Sequence, residues 1–156
     1  MTVELISVGT ELLLGNIVNS NAAFLSVKCA QLGFSMYYQT VVGDNPGRLF
    51  DTIKKALDRS DAVIITGGLG PTQDDLTKEV LAKVLERDLL MDQESKDKIS
   101  RYFKERAGNK DMAAITDNNW KQALKIADSI VVDNKNGTAP GYIVEEDNNT
   151  IILLPG

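Results

Sequence analysis

Ile64-Ile65-Thr66-Gly67-Gly68-Leu69-Gly70-Pro71-Thr72-Gln73-Asp74-Asp75 is the stretch that decides the fold. An apolar β-branched run ends in a glycine-rich turn, and two adjacent carboxylates stand at the mouth of the next helix. Glycine lets a backbone approach a phosphate closely and point N–H groups at it. Carboxylates do not favour direct contact with phosphate, but they hold divalent cations that do. The combination points to a nucleotide or another phosphorylated ligand with a metal ion.

Outward from this stretch the chain alternates. Val3–Val8 reads as a buried strand, followed by the loop Gly9–Gly15. Ser20–Leu32 reads as a helix, with Phe24, Leu25, Cys29 and Leu32 near helical spacing and Gly33 as the stop. Ser35–Val42 is a second strand. Asn45 and Pro46 signal the start of a helix over about Gly47–Ser60, whose apolar face carries Leu49, Phe50, Ile53, Ala56 and Leu57. Asp61–Thr66 is apolar throughout its interior, as expected of a strand buried on both faces. Leu76, Val80, Leu81, Val84 and Leu85 mark the helix after the glycine turn. Strand–helix alternation of this kind predicts a mostly parallel sheet covered on both faces.

The second half is less regular. Gln93–Arg106 reads as a helix with Glu94–Lys98 and Asp97–Arg101 pairs on its exposed side. Ala107–Thr116 reads as a polar loop. Asp117–Ala127 reads as a further helix with Trp120, Ala123, Leu124 and Ala127 inward. Ser129–Val132 is a short strand, Asp133–Gly141 a turn-rich loop, and Tyr142–Glu145 with Thr150–Leu154 a hairpin.

Composition narrows the function. A chain of 156 residues with 43% hydrophobic and 25% charged residues fits one globular domain. The net charge of −5 argues against non-specific nucleic-acid binding, which needs a basic surface. There is no basic–apolar leader and no apolar run of membrane-spanning length. The single cysteine, Cys29, rules out an intramolecular disulfide and fits a reducing cytoplasm. No histidine occurs, which excludes Ser-His-Asp and Cys-His catalysis and every histidine-bearing metal site.

Loops after parallel strands are where such sheets bind ligands. Three matter: Val8 to Asn16 with Asn19-Ser20-Asn21, Val42 to Asn45, and Gly67 to Asp75. They place Glu11, Asp44, Asp74 and Asp75 along one sheet edge. Each signal also has a plainer reading. Gly67-Gly68 turns the chain, and Thr72 with Asp75 resembles a capping box. Asp44 supports its turn, Asn19 or Ser20 caps a helix, and Glu11 is a solvated charge. Cys29 and Trp120 read as core residues, and Gly137–Gly141 as an ordinary turn. The glycine stretch is neither a Walker A sequence nor a dinucleotide fingerprint.

Taken in order, Val8-Gly9-Thr10-Glu11-Leu12-Leu13-Leu14-Gly15, Asn19-Ser20-Asn21, Gln39-Thr40-Val41-Val42-Gly43-Asp44, the run from Thr66 to Glu79, Asn119-Trp120-Lys121-Gln122-Ala123, Gly137-Thr138-Ala139-Pro140-Gly141 and Leu153-Leu154-Pro155-Gly156 resemble the N-terminal domain of the CinA (competence/damage-inducible) family. That domain belongs to the molybdopterin-binding, MoaB/MogA-like superfamily, and the resemblance covers essentially the whole chain. It implies a three-layer α/β/α fold with a mostly parallel sheet and a β-hairpin near the C-terminal end, over a single domain 1–156. It also implies that the sequence stops short of more of this domain and, in many members, of a nicotinamide-mononucleotide deamidase domain.

For function, the resemblance implies a metal-dependent pyrophosphatase acting on ADP-ribose and related nucleotide diphosphates. The cation is Mg²⁺ or similar, with K⁺ as a further candidate. Asp44 and Asp75 match the two acidic positions of molybdopterin adenylyltransferases and would hold the metal, with Asp74 as a third catalytic carboxylate. Gly67, Gly68 and Gly70 match the phosphate or pterin loop. Thr10, Glu11, Asn19, Asn21, Thr72 and Lys121 complete the expected substrate contacts, although Lys121 also reads as an exposed helix lysine. Adenylyl transfer to molybdopterin, and a non-catalytic nucleotide-binding or oligomerisation module, are the alternatives. Homo-oligomers are common in the superfamily.

Overall fold

In a computed structural model, residues 1–107 and 117–156 are described. The expected Ala107–Thr116 loop lies, beyond Ala107, outside the described residues. Six strands form one sheet in the order β2-β1-β3-β8-β7-β6. They are β1 (Thr2–Val8), β2 (Ser35–Val42), β3 (Ala62–Thr66), β6 (Ile130–Val132), β7 (Gly141–Glu146) and β8 (Asn149–Leu154). The β2-β1-β3-β8 block is parallel, while β7 runs antiparallel to both β8 and β6. A separate antiparallel pair joins β4 (Leu89–Met91) to β5 (Leu124–Ile126).

Strand alternation sorts the core into two layers. Val3, Leu5, Ala62 and Ile64 pack with Ala22 and Cys29 of α2 (Ser20–Gln31). On the other face, Ile6, Val63 and Ile65 pack with Leu49, Ile53 and Ala56 of α3 (Pro46–Leu57) and with Val80 and Leu81 of α4 (Thr77–Val84). Asn45 caps α3 by accepting from the Arg48 amide at 3.0 Å, with Pro46 in the first turn, as the sequence anticipates.

Glu4 sits in the middle of β1 with its side chain fully buried. Arg59 clasps it with two bonds, Nε to Oε2 at 2.9 Å and Nη2 to Oε1 at 2.7 Å. The Arg59 guanidinium lies 3.5 Å from the Tyr38 ring centroid, a stacking that fixes the planar fork. Tyr38 belongs to a β-bulge. The pairing moves from Val3–Met36 to Leu5–Gln39, so the edge strand β2 carries an extra residue there.

Four expectations are corrected. The helix over Asp117–Ala127 stops at Trp120, where α6 (Asp117–Trp120) gives way to a 3-10 turn over Lys121–Ala123 and then to β5. Leu124–Ile126 finds strand partners in Leu89–Met91, and this pairing overrides the helical spacing. Gly9–Gly15 is not only loop: Thr10–Leu13 makes one short helix, α1. On α2, Cys29 is buried, but Phe24 and Leu32 are 61% and 68% exposed. Finally, Lys98 of α5 (Gln93–Ala107) turns away from Glu94 to Asp133 and the Asn134 carbonyl. Asp97 accepts from Gln93 at 2.8 Å rather than pairing with Arg101.

Candidate functional site

β1 leads through α2 to β2 on one side of the sheet, and β2 leads through α3 to β3 on the other. The strand order therefore reverses between β1 and β3, and the loops after these strands part to leave a crevice. A cleft of about 740 Å³ occupies this position. Its lining includes Glu11, Asn19, Asn21, Asp44, Gly67, Gly68, Gly70, Thr72, Asp74 and Asp75. The four acidic residues expected along one edge thus share one cleft.

The glycine turn is shaped by contacts that admit no side chain. Gly67 has φ +93°, and a Cβ there would lie 2.2 Å from the Val8 carbonyl oxygen. Gly68 has φ +66°, and its Cβ would meet the Thr77 hydroxyl at 2.1 Å. Leu69, between the glycines, is buried and pins the turn to the core. The Gly67 N–H donates to the Leu154 carbonyl at 3.0 Å, so it is occupied by the sheet. The next three amides, of Gly68, Leu69 and Gly70, donate to nothing among the described residues. Successive unpaired amides of this kind are able to accept an anion.

Two carboxylates are held in the same way. The Thr10 amide and hydroxyl donate to Oδ2 of Asp44 at 2.9 and 2.7 Å. The Thr72 amide and hydroxyl donate to Oδ2 of Asp75 at 2.9 and 2.6 Å. In each, one oxygen takes both bonds, and Oδ1 has no hydrogen-bond partner among the described residues. The Thr72–Asp75 pair is therefore not the cap of α4, which begins at Thr77 after Leu76. Gly70 is needed beside it, because a Cβ there would lie 2.5 Å from Asp75 Oδ2.

Thr10 and Lys121 have structural partners that the sequence does not reveal, and Asn19 adds one to the helix cap expected of it. Thr10 is absent from the cleft lining and reaches it through Asp44. Asn19 caps α2 through the Ala22 amide and donates to Ser7 at 2.9 Å. Lys121 does not line the cleft either. Its ammonium donates to the carbonyls of Thr72, at 3.0 Å, and Asp75, and stands 3.6 Å from Glu79. It braces the turn from behind.

Behind that turn lies a buried lysine that sequence reasoning missed. Lys78 is 2% exposed and donates to the carbonyls of Lys121 and Leu124 at 2.8 and 2.5 Å and to the Tyr142 hydroxyl at 3.3 Å. A lysine among Val80, Leu81 and Val84 looks like a solvated helix position, so no sequence signal marks it. Burial pushes its ammonium down to about 8, and Lys121 adds to the effect against the opposing Glu79. The unfolded chain keeps this proton to about pH 10.4, so above pH 8 it binds more protons than the folded one, and stability rises with pH. Burial pushes the Tyr142 phenol up, which reverses the trend above about pH 10. Urea unfolding is expected to show about 2 kcal/mol of added stability between pH 7 and 9.5. Lys78→Met is expected to flatten that rise, and a rise that persists in the variant would refute the assignment.

No lysine or arginine among the described residues lines the cleft. Among the described residues, no three metal-ligating side chains gather into a cage. Mg²⁺ is often held by one or two carboxylates, with waters and substrate phosphates completing its shell. The unengaged Oδ1 atoms of Asp44 and Asp75 fit that mode of binding.

The fold and the switch-point cleft define a class, and comparison with known proteins agrees. The family profile described as "Probable molybdopterin binding domain" matches residues 4–156, and the chain belongs to that family. Solved structures with the same fold include the molybdopterin biosynthesis enzyme MoaB of Thermus thermophilus, at 18% identity and a TM-score of 0.62, covering 99% of this chain and 80% of that one. Within the family the chain is a CinA-type domain. It is 34% identical to the CinA protein of Thermoplasma acidophilum, with a TM-score of 0.89 over 99% of this chain and 88% of that one. It is 51% identical over its full length to a CinA-like protein of Dictyoglomus thermophilum. A Clostridium beijerinckii protein provisionally named competence-damage inducible is also 51% identical over the whole chain. The chain spans 37% of the length of each of these two relatives. Among the described residues, no helix is long and apolar enough to cross a membrane.

Proposed function

We propose that the cleft hydrolyses the diphosphate of a nucleotide such as ADP-ribose, giving AMP and ribose 5-phosphate. The observation that carries the reading is the pairing of three unengaged backbone amides with two threonine-clamped carboxylates in one cleft that, among the described residues, has no cationic side chain. The amides of Gly68, Leu69 and Gly70 bind non-bridging phosphate oxygens. Glu11, Asp44, Asp74 and Asp75 would repel an anionic diphosphate unless a cation stood between them, so the site requires one. Asp44 and Asp75 would hold Mg²⁺ or a similar ion, which when bound neutralises the diphosphate and acidifies the attacking water. The water oxygen bonds to phosphorus as the bridging P–O bond breaks. With no histidine in the sequence, the water's proton passes to a carboxylate, for which Asp74 is placed on the cleft wall. The choice of ADP-ribose rests on the family resemblance; the amides and carboxylates support only a phosphoanhydride.

The test is AMP release from ADP-ribose, with and without divalent cation, by the longer protein that carries this chain. Metal-dependent AMP supports the reading, and ADP-ribose left intact under both conditions overturns it. Adenylyl transfer is the second reading, favoured by the molybdopterin-binding description of the matched family. Adenylylated pterin formed from ATP and molybdopterin would support it. Homo-oligomerisation, a linked deamidase domain, a role for K⁺ and a cytoplasmic location remain part of the proposal.

A further inference from the structure

A second cleft, of about 590 Å³, joins the first at Ala139, Pro155 and Gly156, which line both. Gln122 lines it while only 3% exposed. The Thr138 hydroxyl donates to its Oε1 at 3.0 Å and so fixes the amide plane. The other end, Nε2, has no acceptor among the described residues. That nitrogen is not sealed in the core but keeps contact with solvent, so it is free to donate to a group in the cleft. Among the described residues, no aromatic ring lines either cleft, so neither offers an aromatic stacking platform for a base. Their rims differ, however. The first carries the exposed apolar side chains of Ile17 and Val18, which suit the flat face of a base. The second presents Gln122, Thr138 and Asn136, which suit hydroxyl groups.

We propose that the second cleft is a sugar subsite, in which Gln122 Nε2 donates to a hydroxyl of the sugar-phosphate half of the substrate while the nucleoside half lies along Ile17 and Val18. This rests on the phosphoanhydride reading of the first cleft and extends it by giving the substrate a direction. The diphosphate then crosses the saddle at Ala139 and Pro155, beside the amides of Gly68 to Gly70. Asn134 is not part of the recognition set, because its Nδ2 donates to Ala139 O at 2.9 Å and its Oδ1 accepts from the Asn136 amide.

Calorimetry with ribose 5-phosphate, AMP and inorganic phosphate tests the assignment. Gln122→Leu removes the donor. Gln122→Met also removes the donor but keeps the unbranched length of the side chain without adding charge, which guards against a folding defect in the first variant. Both variants are expected to weaken ribose 5-phosphate binding about tenfold while leaving AMP and phosphate binding unchanged. Unchanged ribose 5-phosphate binding, or an equal loss for all three ligands, would overturn the subsite. So would a wild-type protein that binds no ribose 5-phosphate. A wild-type protein that shows the Gln122-dependent binding but leaves ADP-ribose intact keeps the subsite and overturns only the hydrolase reading.

Discussion

Asp75→Asn is expected to lower kcat for AMP release from ADP-ribose by roughly three orders of magnitude, within the range lost when a catalytic acid, base or charge-stabilising group is removed. The substitution is informative because it changes little else. Asparagine retains a side-chain oxygen to accept from the Thr72 amide and hydroxyl, now at 2.9 and 2.6 Å from Asp75. The turn also keeps its rear brace, since Lys121 grips the carbonyls of Thr72 and Asp75 rather than any carboxylate of the turn. What disappears is the negative charge and its affinity for a cation. Raising the divalent concentration should recover part of the loss, as expected for a ligand of the metal. Steady-state kinetics over a Mg²⁺ or Mn²⁺ series read the effect. An unchanged kcat would remove Asp75 from the chemistry and leave Asp44 and Asp74 to be tried alone. Asp44→Asn should behave alike, because Thr10 clamps it by the same pair of bonds.

Arg59→Ala is expected to lower the unfolding free energy, because it strands a buried carboxylate in the sheet. Glu4 has no exposed side-chain surface, and its remaining contact would be the Ser60 hydroxyl at 3.4 Å. The double variant Glu4→Leu/Arg59→Leu should recover most of the loss, since it removes the stranded carboxylate along with its partner. Urea unfolding of the two single variants and the double variant closes the cycle. A loss below about 1 kcal/mol for Arg59→Ala would show the pair to behave as a surface ion pair.

The sequence made the parallel half of the fold legible because β1 and β3 are largely apolar and α2 and α3 open on recognisable caps. Asn19 and Asn45 both cap where their local sequences say they should. β5 was not legible: Trp120, Ala123, Leu124 and Ala127 keep a helical spacing, and only the distant Leu89–Met91 converts the segment to strand. At the site, the chain order of the loops brought Glu11, Asp44, Asp74 and Asp75 into view, since strand topology alone places them. Hydrogen-bond partners set by tertiary approach were not legible. Lys121 looks like a phosphate ligand in sequence and turns out to hold carbonyls, while Gln122, its silent neighbour, carries the unengaged donor.

The Gly67 N–H bond to Leu154 has a consequence for how the protein comes into being. β3 finds its second neighbour only in β8, where Ala62 pairs with Thr150 and Thr66 with Leu154. Such a contact closes a long loop and forms slowly compared with a local turn. During synthesis β1, β2 and β3 emerge well before their last partner, so the glycine turn waits half-built with one edge of β3 open. The glycine turn is thus completed only after β8 has been synthesised and has docked beside β3.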